Sequence, residues 1–295
     1  MPQTNGHILM YDLMNMAQHN RDGNFKTQHQ RRVMLKMFAR QLHALGYRKL
    51  RAHDFGQRHW NKLVALWKSQ GIADRTIPNR LAALRWWAEK IGKPHIMPRT
   101  NAYFALAPRT STAHSSKAKT VTSDMLAQMT DPYVRWSVQL QQAFGLRREE
   151  SIKIRVWQAD KGTHLALQAS WCKGGRPREI PIRTAAQREL VDQIKAWVPT
   201  KTSALIPPDL KYIDQERRYD YQTQMVGLTN PHGLRHGYAQ QRLEEEAGYP
   251  APVNGGPSRK TMTPDQRALD DAARLTVSAE LGHGRKQIVS TYTGT

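Results

Sequence analysis

Residues 144–150 read FGLRREE and follow a predicted helix at 132–144. Gly145 is a helix breaker, so the sequence predicts that this helix ends immediately before Leu146 and Arg147. Taken alone, the charged residues after Gly145 are equally typical of the solvated first turn of another helix. Their interpretation therefore depends on the stretches that accompany them.

Three more stretches with cationic or reactive residues follow in the second half of the chain. They are KGGRPREIPI at 173–182, HGLRH at 232–236, and LGH at 281–283 with Tyr292 nine residues after its histidine. Each has an ordinary explanation. Lys173 opens a Gly-Gly sequence that is typical of a hairpin turn. His232 and His236 share one face of a helix, but without a nearby cysteine or a paired acidic ligand they make a weak metal site.

The composition indicates a polyanionic partner. The chain has 295 residues with 45 Lys+Arg against 24 Asp+Glu, a formal charge of +21, which disfavours a neutral metabolic enzyme. Residues 1–100 hold 18 Lys+Arg and 5 Asp+Glu, so positive charge is densest there, although a solvated basic surface would give the same counts. With 39% hydrophobic residues, the chain can bury a core and is not a disordered basic tail.

The expected compartment is the cytoplasm. The single cysteine, Cys172, excludes an internal disulfide framework and a cysteine-based zinc cluster, and it fits a reducing environment. No apolar run approaches the roughly 20 residues that span a bilayer, and the first residues lack the pattern of a secretion signal. We therefore expect no membrane partner.

The periodicity of apolar residues predicts two domains and a linker. Residues 1–107 show stripes at spacings of three and four that predict about four helices, ending near Gly46, Gly71 and Gly92. Residues 108–122, PRTSTAHSSKAKTVT, are polar and without periodicity, which is typical of a linker.

Residues 123–295 have a mixed pattern, so the predicted fold class is α+β and mainly helical. Short β-type runs at 154–158, 164–170 and 179–182 predict a small antiparallel sheet. Helices are predicted at 132–144, 185–197, 211–225, 232–246 and 264–281. The Pro- and Gly-rich segment 247–263 is predicted to be a flexible insertion.

The order and spacing of the four stretches together indicate a function more specifically than any single stretch does. The second domain resembles the tyrosine recombinase (phage integrase) family, which has an arginine in a GLR-x-x-E box, a lysine in a β-hairpin turn, a His-x-x-Arg box, a histidine or tryptophan in an LGH box, and a nucleophilic tyrosine shortly after it. The resemblance implies six catalytic residues, which are Arg147, Lys173, His232, Arg235, His283 and Tyr292. It also implies a SAM-like four-helix core-binding domain for residues 1–107 and the family's catalytic domain for residues 123–295.

The chemistry of these residue types supports such roles. Strand transfer at a DNA phosphodiester needs a nucleophile, positive charge at the non-bridging oxygens and an acid for the leaving hydroxyl. We expect Arg147 and Arg235 to hold the phosphate, because a guanidinium binds it bidentately and stays charged. Lys173 is the expected general acid. His283 can add a hydrogen bond to the phosphate, and His232 can assist proton movement at the tyrosine.

Tyr292 is the expected nucleophile, forming a 3′-phosphotyrosine bond and a free 5′-hydroxyl without ATP, a metal or another cofactor. Two supporting residues are predicted beside it: Glu150 orients an arginine or caps a helix, and His236 is a packing residue or lies behind the catalytic groups. Arg176 and Arg178 are interpreted as contacts to the DNA backbone or as solvated side chains.

The leading hypothesis is a site-specific DNA recombinase, an integrase of a mobile genetic element. As the resemblance implies, a homotetramer would form on two double-stranded DNA sites and pass through a Holliday junction, while the free protein is monomeric or weakly associated. Accessory DNA-bending proteins are left open. A type IB topoisomerase and a non-catalytic architectural DNA-binding protein remain alternatives. The chain ends at Thr295, three residues after Tyr292, so we expect it to lack the C-terminal helix that many relatives pack into a neighbouring protomer.

Overall fold

The computed structural model of the chain describes residues 8–106 and 112–295. The chain divides into two compact units, Met1–Thr110 and Ser111–Thr295. The first is helical in its described part, and the second combines helices with a two-stranded sheet. The predicted mainly helical α+β class is therefore confirmed.

Four α-helices build the first unit within residues 8–106. They are α1 (Ile8–His19), α2 (Phe25–Ala44), α3 (Gln57–Ser69) and α4 (Ile77–Lys90). As predicted, the glycines Gly46, Gly71 and Gly92 each follow a helix within two residues. The aromatic stripes form the core, since Trp60 and Trp67 are buried. Their helical spacing thus reflects packing of the helices against one another.

The second unit packs helices around a small sheet. Its elements in the described range are α5 (Ser123–Gln128), α6 (Pro132–Phe144), α7 (Arg148–Lys153), α8 (Val156–Ala159), β1 (His164–Leu167), β2 (Arg178–Pro181), α9 (Ala185–Trp197), α10 (Tyr212–Met225), α11 (His232–Ala247), α12 (Pro264–Glu280) and α13 (Ser290–Thr293). The strands pair antiparallel, with Leu167 opposite Arg178. Helix α11 packs against α6, α12 and α13, so it lies at the centre of the unit.

The run at 154–158 is not a strand, which corrects the prediction of a third β segment. It contains α8, a short helix that buries Val156 and Ala159. A short apolar run has too few residues to show whether its period is that of a strand or of a buried helix. The helical turn is shown by its backbone bonds, in which the Ala159 amide donates to the Arg155 carbonyl and the Asp160 amide to the Val156 carbonyl, each at 2.9 Å.

The segment 247–263 is packed, so the prediction of a flexible insertion is wrong. Ala251 is buried, and the Tyr249 hydroxyl donates to the Asp270 carboxylate at 3.0 Å. Arg259 also pairs with Asp270. The proline and glycine content shapes tight turns in this segment, and its side chains then bind to α12.

The predicted linker, residues 108–122, is described from residue 112 onward, and its first residues lie outside the described ranges. The described part lies against the second unit. The Lys119 amide donates to the Gly233 carbonyl at 3.0 Å, and the Val121 side chain is buried. A side chain at Gly233 would place its Cβ only 2.4 Å from Lys119 Cγ, so this segment approaches α11 closely.

Candidate active site

Five of the six predicted catalytic residues gather around the first turn of α11. They are Arg147 from the α6–α7 loop, His232 and Arg235 from α11, His283 from the turn after α12, and Tyr292 from α13. Lys173 is placed differently. It is exposed in the connection between β1 and β2, and its side chain makes no hydrogen bond or ion pair with any described residue.

Arg235 is the centre of this group. Its side chain is fully buried, and it donates to the Gly145 carbonyl at 2.5 Å and to the Leu281 carbonyl. The remaining contacts are to the Tyr292 hydroxyl, 3.3 Å from Nε, and to the His283 ring, 3.3 Å from Nη2. Burial lowers the pKa of Arg235 to about 10, so the guanidinium is still charged at neutral pH.

The Gly145 backbone explains one part of this placement. Gly145 ends α6 in the left-handed region with a φ of 61°, which turns the chain toward Arg147. A Cβ at this position would lie 2.4 Å from Cδ1 of Tyr238. Both the backbone conformation and the close packing therefore require glycine, and they aim its carbonyl at Arg235.

Tyr292 is buried in the site, with 5% of its surface exposed. Its hydroxyl lies 3.1 Å from Nε2 of His283 and 3.3 Å from Nε of Arg235. The His236 ring packs edge-on at a centroid distance of 4.8 Å, and the His232 ring lies farther away at 6.0 Å. The phenol is thus held between a cation and imidazole rings.

The histidines around Tyr292 are neutral at pH 7. Desolvation by the surrounding protein and the positive charge of Arg235 lower the pKa of His232 and of His283 to about 4. Desolvation also lowers the pKa of His236, with a contribution from Lys117. A neutral ring nitrogen can accept a proton, which is the property that a base beside a phenol needs.

Glu150 links two arginines. Its side chain is fully buried; Oε1 accepts from the Arg147 guanidinium and Oε2 from the Arg147 amide, both at 2.7 Å. Arg178 binds the same carboxylate with two N–H groups. Burial favours the neutral acid, but the hydrogen bonds and charges of Arg178 and Arg147 outweigh it and lower the pKa of Glu150 to about 2.

Helix α13 is anchored on both sides of Tyr292. The Gln240 amide donates to the Tyr292 carbonyl at 2.9 Å. Arg274 donates to the Thr293 hydroxyl at 3.1 Å and to the Gly294 carbonyl at 3.0 Å. A helix of four residues has little stability of its own, so these contacts fix where the tyrosine lies.

Sequence reasoning missed Arg178, Gln240 and Arg274. Arg178 was interpreted as a DNA contact or a solvated residue, yet 5% of its side chain is exposed. One signal was present: in a strand, Arg178 shares a face with Ile180, which is buried. Gln240 and Arg274 carry no such signal, because their partners lie far away in the sequence.

Two protein-family models match the chain. A model described as "Phage integrase, N-terminal" matches residues 7–97, and one described as "Integrase" matches residues 108–241. The second match ends before His283 and Tyr292, so the predicted roles of those two residues rest on the LGH box and on the geometry described above.

Solved structures of integrases share the fold. A lambda integrase dimer bound to a core site has a TM-score of 0.59 at 16% identity, covering 97% of this chain and 95% of that chain. A lambda integrase tetramer bound to a Holliday junction has a TM-score of 0.58 at 16% identity, covering 98% and 78%. The Tn1549 transposon integrase in complex with circular intermediate DNA has 0.56 at 12% identity, covering 98% and 95%.

One curated protein matches a part of the chain. A UPF0754 membrane protein of Shouchella clausii is 30% identical over an alignment of 185 residues, and the match covers 54% of this chain and 48% of that protein. The chain therefore spans about half the length of this relative. Among the described residues of the present chain, no helix has the length and apolar character needed to cross a membrane.

Proposed function

Because the chain belongs to the tyrosine recombinase (phage integrase) family, we propose that it is a site-specific DNA recombinase with Tyr292 as its nucleophile. The observation that carries this proposal is the position of the Tyr292 hydroxyl, within hydrogen-bond distance of both Arg235 and His283. A weakly nucleophilic phenol is thereby placed next to a fixed positive charge and a neutral base, as attack on a phosphodiester requires.

The proposed cleavage step uses side chains alone. The Tyr292 oxygen attacks the phosphorus, the bond from phosphorus to the 5′ oxygen breaks, and a 3′-phosphotyrosine forms. The phenol proton passes to a neutral histidine, and His283 is the nearer candidate at 3.1 Å. Lys173, on its exposed turn, protonates the departing 5′ oxygen once DNA brings the turn to the site. Attack by another 5′-hydroxyl reverses the step and joins new strands.

Arg147 and Arg235 neutralise the phosphate in this proposal. The carbonyls of Gly145 and Leu281 fix the Arg235 guanidinium, while its contacts to Tyr292 and His283 are the ones a phosphate oxygen can replace. A buried, preorganised cation stabilises transition-state charge more than a solvated one, since no reorganisation is needed during the reaction.

Double-stranded DNA is the proposed partner, and the charge distribution supports it. Residues 1–107 would form the core-binding domain, 108–122 the connection and 123–295 the catalytic domain, with the dense positive charge of residues 1–100 on the phosphate backbone. We further propose assembly of four protomers on two sites, since lambda integrase forms such a tetramer on a Holliday junction. Integration or excision of a mobile element in the cytoplasm is the corresponding biological role.

The proposal is tested with a nicked suicide substrate that traps the covalent intermediate. The wild-type protein should form an adduct with DNA that survives denaturant, and Tyr292→Phe should form none. Tyr221→Phe removes an exposed phenol from the same unit and should leave the adduct unchanged. An undiminished adduct in Tyr292→Phe would exclude Tyr292 as nucleophile. Relaxation of plasmids without any recombination site would instead favour a type IB topoisomerase.

A further inference from the structure

Arg178 is a buried cation with every side-chain nitrogen engaged. Nε donates to the Glu280 carbonyl at 2.7 Å, while Nη1 and Nη2 donate to the two Glu150 oxygens at 3.0 and 2.7 Å. Nη1 also lies 3.5 Å from the Cys172 sulfur. With 5% of the side chain exposed, Arg178 is poorly placed to bind DNA directly. Any effect of Arg178 on DNA cleavage must therefore be exerted through the groups that it contacts.

Arg178 is connected to the candidate active site through Glu150, which also binds Arg147. A carboxylate paired with one arginine forms a neutral unit, so Glu150 alone would cancel the charge of Arg147. Arg178 adds a second cation to the same carboxylate, and the three side chains together keep a charge of +1. Of the two arginines, Arg147 is the more exposed, with 19% of its side chain exposed against 5% for Arg178. The net positive charge of the three side chains is therefore accessible to a ligand at Arg147.

We propose that Arg178 is a positioning residue for strand cleavage: it neutralises Glu150, so that Arg147 keeps an uncompensated positive charge for the scissile phosphate. The inference rests on the proposed function, since it assumes that Arg147 binds that phosphate.

The experiment compares two suicide substrates, one with an ordinary scissile phosphodiester and one with a neutral methylphosphonate in its place. Arg178→Gln should cleave the phosphodiester on the order of 100-fold more slowly than wild type. On the methylphosphonate the two proteins should cleave at similar rates, because that linkage has no negative charge for Arg147 to neutralise. The double variant Arg178→Gln with Glu150→Gln removes the unpaired carboxylate as well and should recover phosphodiester cleavage.

Arg242→Gln is the matched control. Arg242 is also buried and holds the buried Glu280 carboxylate with three hydrogen bonds, but it makes no hydrogen bond to any of the predicted catalytic side chains. This variant should lose stability while keeping the wild-type ratio of the two cleavage rates. Circular dichroism of each variant identifies those that fold.

An equal loss for Arg178→Gln on both substrates, or no recovery in the folded double variant, would overturn the inference and leave Arg178 a purely structural residue. Because the double variant exchanges a buried ion pair for a neutral pair, it keeps the test decisive even if Arg178→Gln does not fold. A wild-type protein that forms no adduct on either substrate would contradict the proposed function itself.

Discussion

Arg235 is held by backbone carbonyls that only particular residues can present. The Gly145 carbonyl reaches it because the chain turns with positive φ, and Leu281 offers its carbonyl at the end of α12. The GLR and LGH boxes recognised in the sequence thus position the guanidinium as well as supplying Arg147 and His283. A substitution at Gly145 should therefore affect the site through Arg235.

We predict that Gly145→Ala lowers both stability and adduct formation. A left-handed alanine costs about 1–2 kcal/mol, and the clash with Tyr238 adds about 1–3 kcal/mol. Gly227→Ala is the control, because Gly227 has a similar φ of 73° with no neighbouring atom within 4 Å of its Cβ position. Urea unfolding and the suicide substrate measure the two effects. Equal losses in both variants would show that the Tyr238 contact is unimportant.

At the scale of elements, local patterns predicted the helices well and the irregular segments poorly. The apolar stripe of α6 and its glycine stop predicted its bounds, 132–144, as the structure has them. The segment 247–263 has no regular period, so its composition resembled that of a flexible loop. Its order comes from Asp270 on α12, a partner that no local pattern identifies.

The Gln240 side chain helps to anchor α13 and thereby positions Tyr292. Gln240→Ala removes the bond to the Tyr292 carbonyl and two further contacts of the Gln240 side chain, to Ser116 and Asn254. Cleavage should fall roughly 10- to 100-fold, because small displacements of a nucleophile cost rate, while the DNA dissociation constant changes little. Gln241→Ala is the control, since the Gln241 side chain is exposed and donates to Glu245 on the same helix. Single-turnover cleavage at saturating protein is the measurement, and equal rates for the two variants would contradict the anchoring role.

For the whole molecule, neutral histidines in both units make stability depend on pH. Desolvation lowers the pKa of His59 to about 4, and desolvation with Arg235 does the same for His283. Unfolded histidines bind protons near pH 6.5. Between these values the unfolded chain binds more protons, so the free energy of unfolding should fall as the pH falls from 6.5 toward 4.

Urea unfolding of the full chain at pH 7 and at pH 5 measures this effect. Glu150 does not contribute in this window. Its pKa is lowered from 4.5 to about 2, so its stabilising effect is complete above pH 4.5 and is lost only below it. A free energy of unfolding that is constant or larger at pH 5 would contradict the assignment of neutral, desolvated histidines.

The sequence by itself indicated the family, most of the long helices and six candidate catalytic positions, whose roles stay predictions. Helical period and glycine stops act over a few residues, and the motifs keep their order along the chain. Tertiary structure decided the rest. It buried Arg178 against Glu150, ordered the segment 247–263 and held Tyr292 through Gln240, since each of these contacts joins residues distant in the chain. The formal charge of +21 shows the kind of partner to expect, but burial and pairing decide which charges remain free to act on it.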